Sequence, residues 1–318
     1  MPDLLAVEDL SVEYLRQAGD LRVVDGVSFS IGPGEVFGLA GESGSGKSTI
    51  ALSLVRLLRP PGVITGGRVL CEGRDVLAMS EAELRAFRWR RVSLVTQEAM
   101  NALNPLITVG EQLADPILAH ERVGRRAARD RAGALLDLVG VERRRLDSFP
   151  HQLSGGMRQR VVIGMALALE PALIIMDEPT TALDVVVQNE LLSHISALRQ
   201  RLGFSILFIG HDLSLMLSFC ERVGVLYAGR LMELGPSEVL RRAPRHPYTQ
   251  GLVSCLLDPR GGQGGLRGIP GQPPDPAQLP GGCHFHPRCP SVLDHCRHQR
   301  PPLVPLGAAH LVECHLCS

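Results

Sequence analysis

The stretch Gly41-Glu42-Ser43-Gly44-Ser45-Gly46-Lys47-Ser48-Thr49 fits the phosphate-cradling pattern G-x-x-x-x-G-K-[ST] in full. Ahead of it, residues 35–40 (EVFGLA) read as a short buried strand. Behind it, residues 50–55 (IALSLV) read as a helix. That strand–loop–helix context turns a pattern match into a structural expectation. Gly41, Gly44 and Gly46 let the backbone turn tightly and aim its N–H groups at an anion. The helix starting near Lys47 offers unpaired N–H groups and the positive end of its dipole to the same anion. Lys47 is placed to reach the β- and γ-phosphates of a nucleotide, and the Ser48 hydroxyl to ligate Mg²⁺.

Outward from the loop, strands and helices alternate. Strand patterns cover residues 4–14, 21–31, 68–71, 92–96, 172–176, 204–209, 223–227 and 230–234. Ser80-Glu81-Ala82-Glu83 reads as a capping box. From about 99 to 158 strand signals vanish and helical spacing takes over, which predicts a helical subdomain inserted into the core. The expectation is an α/β fold: a P-loop ATPase core with a mostly parallel sheet covered on both faces. Residues 258–282 hold six Pro and eight Gly. Such a run is either disordered or laid over another surface, and a small Cys-rich extension follows it. The domain boundary is placed near 255, giving 1–255 and 256–318.

Other residues narrow the chemistry. Residues 173–178 (LIIMDE) form an apolar strand ending in two carboxylates. Asp177 would be delivered rigidly beside the Mg²⁺. Glu178 suits a general base on the attacking water, an effect of roughly 10²–10⁴-fold. Leu153-Ser154-Gly155-Gly156-Met157 places an N-cap and two bare glycines at a second helix N-terminus, which suits another anion. One chain does not easily bring two such ends to one phosphate from opposite sides; a dimer does. His211 is placed to contact the γ-phosphate, Gln97 to reach Mg²⁺ or the lytic water, and Tyr14 to stack on a base.

These motifs, with Ala182-Leu183-Asp184, stand in the order and spacing of ATP-binding-cassette ATPase domains, which residues 4 to about 250 resemble. The resemblance implies a head-to-tail dimer in which each ATP lies between Gly41–Thr49 of one chain and Leu153–Met157 of the other. It makes Glu178 the base, His211 the γ-phosphate sensor, Asp184 a cross-dimer contact and Gln97 the link to the membrane subunits. A narrower resemblance is to the ATPase subunits of oligopeptide and dipeptide importers. It rests on residues 100–105 (MNALNP), 149–152 (FPHQ), 245–252 (RHPYTQGL), 269–274 (IPGQPP) and 282–290 (GCHFHPRCP). It implies two permease subunits, an extracellular solute-binding protein and a place on the cytoplasmic face of the cell membrane. A nickel or other small-solute importer is the near alternative, and a soluble cassette ATPase of iron–sulfur assembly the distant one. Thr96 before Gln97, and Gly210 before His211, depart from the residues common in that family, but neither removes a catalytic group.

Bulk properties fit this reading. Thirty-three basic side chains balance thirty-three acidic ones, which argues against nucleic-acid binding through a broad basic face. Nothing at Met1-Pro2-Asp3 reads as a signal peptide, and no apolar run approaches the ~18 residues of a membrane span. Cys71, Cys220 and Cys255 are scattered and read as small buried hydrophobes. The other five of the eight cysteines crowd the last 36 residues, which in a reducing compartment points to metal. Cys283, Cys289, Cys296 and Cys314 are spaced C-x5-C-x6-C-x17-C, without the paired knuckles of structural zinc sites. Four thiolates can hold a cubane cluster, and the importer resemblance extends a 4Fe–4S cluster to these four. Cys317 is spare, and six tail histidines keep Zn²⁺ with mixed ligands, or unliganded thiols, open.

Overall fold

β3 (Val36–Gly41) is buried at every position. So are β7 (Leu173–Asp177) and β8 (Ser205–Gly210). Continuous burial of this kind is what strands covered on both faces require. The computed structural model describes residues 2–17, 19–96, 103–180, 184–255, 269–307 and 309–317. Gln97, Met100–Ala102, Ala182, Leu183 and the first part of the Pro/Gly run lie outside the described residues. The chain forms two units, one of residues 1–32, 36–77 and 208–318, the other of 33–35 and 78–207. β8 carries the chain from the second to the first.

The first unit holds an antiparallel sheet in the order β2-β1-β4-β5, from β1 (Leu5–Tyr14), β2 (Leu21–Ile31), β4 (Gly62–Cys71) and β5 (Arg74–Asp75). Leu5, Val7, Leu10 and Val12 are the buried residues of β1. The register shifts between Val7 and Leu10, where Asp9 takes φ 49°. One inserted residue restores the apolar phase that simple alternation would lose. In the same unit β3 pairs in parallel with β9 (Arg222–Tyr227), and β9 runs antiparallel to β10 (Arg230–Pro236).

The C-terminal extension adds to that sheet. β12 (His310–Glu313) pairs with β10, and β11 (Leu303–Gly307) pairs with β12, both antiparallel. This hairpin has no counterpart in the sequence expectations. Buried charge anchors it: Arg230 Nε donates to Asp25 at 2.8 Å, Arg230 lies 3.8 Å from Glu313, and Arg300 Nε donates to Glu313 at 3.2 Å. His310 meets the fully buried Glu233 at 2.8 Å. The described part of the Pro/Gly run is laid over the surface of this unit, with Pro273, Pro274 and Pro276 facing residues of the phosphate loop.

In the second unit β6 (Val92–Val95) pairs in parallel with β7. Helices dominate the rest. Val109–His120 begins at a capping box between Thr108 and Glu111, and buries Val109, Leu113 and Ile117 at helical spacing. Arg125–Leu138 buries Ala128, Ala132 and Leu136 in the same way, and the chain turns after it at Gly140, φ 70°. The capping box expected at Ser80 forms with Glu83. Cys71 and Cys220 are buried as expected, but Cys255 is exposed at a helix end, where its thiol donates to Gly251 O at 3.3 Å.

Candidate nucleotide site

The first unit carries the phosphate loop, between β3 and the helix Lys47–Leu54. Gly41 has φ 156°, and a Cβ there would lie 2.3 Å from the Leu226 carbonyl oxygen. Gly46 has φ 101° and is the N-cap of the helix. Its Cβ would meet Val23 O at 2.7 Å. Only glycine fits either place, so the bare backbone of the motif is required sterically as well as for anion binding. Lys47 is buried, and its ammonium donates to Gly41 O at 2.8 Å and Glu42 O at 2.9 Å. Ser45 is buried, while Ser43, Gly44 and Ser48 are exposed; Thr49 is half-buried. Ser45 O accepts from Gly229 N–H at 3.1 Å, tying the loop to the β9–β10 turn.

Two more expected residues belong to this unit. Tyr14 ends β1, half-buried, paired with Leu21 and Gly62. His211 is exposed just beyond β8, and Asp212 after it caps the helix Leu213–Phe219 by accepting from Leu215 N–H at 3.1 Å.

The second unit carries the carboxylates and the second helix N-terminus. Asp177 is the buried last residue of β7. Glu178 leaves the strand at φ 48°, a left-handed conformation that costs a residue with a Cβ roughly 1–2 kcal/mol. Strain of this kind gathers at functional positions, and neither propensity nor alternation reveals it. Ser154 caps the helix Gly155–Ala166, accepting from Met157 N–H at 3.3 Å, and Leu153 is buried. Gly156 packs against Val187 of the neighbouring helix. Asp184 caps that helix, Val185–Leu202, accepting from Val186 and Val187 N–H at 3.1 and 3.0 Å. Gln97 lies outside the described residues.

The tail thiols form no disulfides. Burial pushes Cys283 up to about 11, with Cys296 and Cys289 acting in the same direction. Burial pushes Cys314 up to about 12, helped by Cys317, Cys283 and Cys289. Cys289 is raised by burial and by Cys296. Donor atoms of His295, Cys296 and His315 lie within 4.8 Å of one another. Residues given no site role in the sequence reading also stand beside the loop: Tyr248 and Arg288 bond to Glu42, and Tyr227 accepts from Arg288.

Comparison with known proteins decides the family. Residues 24–181 match the family model described as ABC transporter, and residues 232–296 match the C-terminal region of oligopeptide/dipeptide transporters. The oligopeptide transport ATP-binding protein OppD of Bacillus subtilis is 40% identical, over 98% of this chain and 88% of that protein. The chain belongs to the ATP-binding proteins of the oligopeptide/dipeptide ABC transporter family. A probable peptide ABC transporter ATP-binding protein of Sinorhizobium fredii is 42% identical over 98% of this chain and 94% of its own length. Among solved structures, the dimeric ATP-binding cassette MJ0796 bound to ADP and phosphate matches with TM-score 0.65 and 28% identity, over 73% of this chain and 98% of that one. The fold is thus that of an ABC ATPase, with ATP and Mg²⁺ as the nucleotide and metal expected of the family. Among the described residues, no helix is long and apolar enough to cross a membrane.

Proposed function

We propose that this chain is the ATP-hydrolysing subunit of an importer of di- and oligopeptides. The observation that carries the proposal is near-full-length likeness to peptide-transport ATP-binding proteins, including the C-terminal region special to them. In this reading Lys47 and the loop amides would bind the β- and γ-phosphates, and Ser48, Asp177 and Gln97 would be the groups that hold Mg²⁺. Glu178 takes a proton from the attacking water, and His211 contacts the γ-phosphate. Leu153–Met157 and Asp184 of a second ATPase subunit complete the site. Closure on two ATP would drive two permease subunits toward the state that receives solute from an extracellular binding protein, and hydrolysis would reset them. The chain would then work on the cytoplasmic face of the membrane. Reconstitution with the permeases tests this: ATP-dependent uptake of labelled peptide is expected, and a complex that turns over ATP without moving peptide overturns the cargo. Glu178→Gln should lower turnover by roughly 10²–10⁴-fold and trap a nucleotide-bound dimer. Unchanged turnover removes Glu178 from the mechanism.

The tail thiols fit a soft metal centre. Cys283, Cys289, Cys296 and Cys314 are all free of disulfides, and burial favours the neutral thiol at Cys283, Cys289 and Cys314 unless a cation offsets the thiolate charge. A 4Fe–4S cluster held by these four would supply a structural clasp or a one-electron couple. Iron and sulfide analysis after anaerobic purification is the check: about four irons per chain support it, and a colourless, iron-free protein overturns it. Zinc on the same protein would favour the mixed set around His295, Cys296 and His315.

A further inference from the structure

Glu42, the second residue of the phosphate loop, is held at three points. Its N–H donates to Tyr248 Oη at 3.3 Å, and its carbonyl accepts from Lys47 Nζ at 2.9 Å. Its carboxylate takes a fork from Arg288 in the C-terminal extension, Nη1 to Oε2 at 2.9 Å and Nη2 to Oε1 at 3.2 Å. A fork of two parallel charge-assisted bonds fixes orientation as well as distance. Arg288 is itself fixed. Its side chain is 7% exposed, Nε donates to Pro270 O at 2.9 Å, and Nη1 also reaches Tyr227 Oη at 3.3 Å. The guanidinium lies over the Tyr227 ring, 5.6 Å from its centroid. Tyr227, Tyr248 and Phe285 pack ring to ring beneath it, with centroids 4.7–5.3 Å apart. Beside Glu42, a partly open cavity of about 330 Å³ is lined by residues 42–45 of the loop, the β9–β10 turn, and Pro273, Pro274 and Pro276 of the extension.

An anion cradle made of backbone works by being preorganised: its N–H groups must already point at the phosphates. A loop of glycines and serines has little stiffness of its own. Here the second loop residue is bonded by a side chain 246 positions away in sequence.

We propose that Arg288 is a positioning residue for the phosphate loop, holding Glu42 in the conformation that receives nucleotide phosphates, so that the C-terminal extension is a working part of the ATP site. The inference rests on the reading of Gly41–Thr49 as the nucleotide loop. The test is equilibrium binding of MgATP to the full-length chain, with KM and kcat of the assembled transporter. Arg288→Ala is expected to weaken MgATP binding by about tenfold, with the loss in KM larger than the loss in kcat. Damage confined to folding would instead lower the active fraction, and so kcat, at unchanged KM. Glu42→Gln should give a similar shift, and the double variant less than the product of the two. Arg288→Lys keeps the charge but not the fork, and should recover only part of the affinity. If Arg288→Ala unfolds the extension, Arg288→Lys decides. Wild-type affinity in a folded Arg288→Lys or Arg288→Ala protein overturns the inference. Lys47→Ala serves as the separate check on the site: if it binds MgATP as tightly as the unaltered chain, the nucleotide reading falls, and the inference with it.

Discussion

The phosphate loop and the C-terminal extension meet in one unit, yet they hold charge in opposite ways. The loop prepares for an anion mainly with backbone, with Lys47 and Ser48 as the side chains aimed at the phosphates and their metal. The extension holds itself down with side-chain pairs that are largely out of water, Arg230 with Asp25 and Arg288 with Glu42, with the half-exposed Arg300 on the buried Glu313, and with a contact between His310 and the buried Glu233. A backbone cradle fails when a Cβ intrudes. A buried charge network fails when one partner leaves, because the remaining charge stays buried and uncompensated. The two regions should therefore break under different kinds of substitution.

The largest loss is expected in the network. Arg230 donates to Asp25 Oδ2 at 2.8 Å and to Gly282 O at 2.9 Å, and its side chain is 12% exposed. Arg230→Ala would leave Asp25 and Glu313 to Arg22 and Arg300, whose side chains are both more exposed than that of Arg230. Destabilisation of about 3–5 kcal/mol is expected, measured by chemical denaturation. A loss below about 1 kcal/mol would mean that water already reaches the network. Next comes the loop. Gly41→Ala sets a Cβ 2.3 Å from Leu226 O, which forces the loop or β9 to move. Overpacking of this kind costs roughly 1–3 kcal/mol, and MgATP binding should be lost with it. Full affinity in Gly41→Ala would show that the cradle tolerates displacement.

The same contrast explains what the sequence could reveal. The loop is contiguous: glycines, Lys47, strand and helix lie within about twenty residues, so local rules place them. The capping boxes at Ser80 and Thr108 and the helix N-cap at Ser154 are local in the same sense. The extension is built from long-range pairs. Arg288 and Glu42, or Arg300 and Asp25, are unremarkable as letters, and each pair forms only when the folded chain brings distant segments together. Leu303–Gly307 is largely exposed and carries Pro305, which reads against a strand, yet as the outer member of a hairpin it needs few donors. Glu178 is a middle case. Its identity was legible from the strand before it, but its left-handed backbone was not.

A smaller effect separates the regions by pH. His284 lies in the extension with its ring Nδ1 2.9 Å from Ala228 O. Burial first, then nearby Arg230, depress it to about 4. His246, at the start of the helix Pro247–Ser254, is depressed by burial to about 3. Unfolded, both would titrate near 6.5. Between that value and about 4 the unfolded chain binds more protons, so stability falls as pH falls, by about 1.4 kcal/mol per pH unit for each histidine. The decline should be absent above about pH 7. His284→Gln should remove one histidine's share of the slope. An unchanged slope in denaturation midpoints from pH 6.5 to 4.5 would mean that His284 protonates without leaving its site.

The smallest effect tests whether burial, rather than ion pairing as such, distinguishes the extension. Arg68 and Glu8 approach to 2.6 Å, closer than the 2.8 Å of Arg230 and Asp25, but their side chains are 64% and 43% exposed. In water the attraction is screened, and holding two long side chains together costs entropy, so such pairs contribute about 0–1 kcal/mol. Arg68→Ala should therefore change stability by less than about 0.5 kcal/mol, and raising the salt concentration should erase even that. Distance alone ranks the two pairs in the wrong order. If Arg68→Ala cost as much as Arg230→Ala, proximity would outweigh solvent exclusion, and the contrast between the loop and the extension would lose its physical basis.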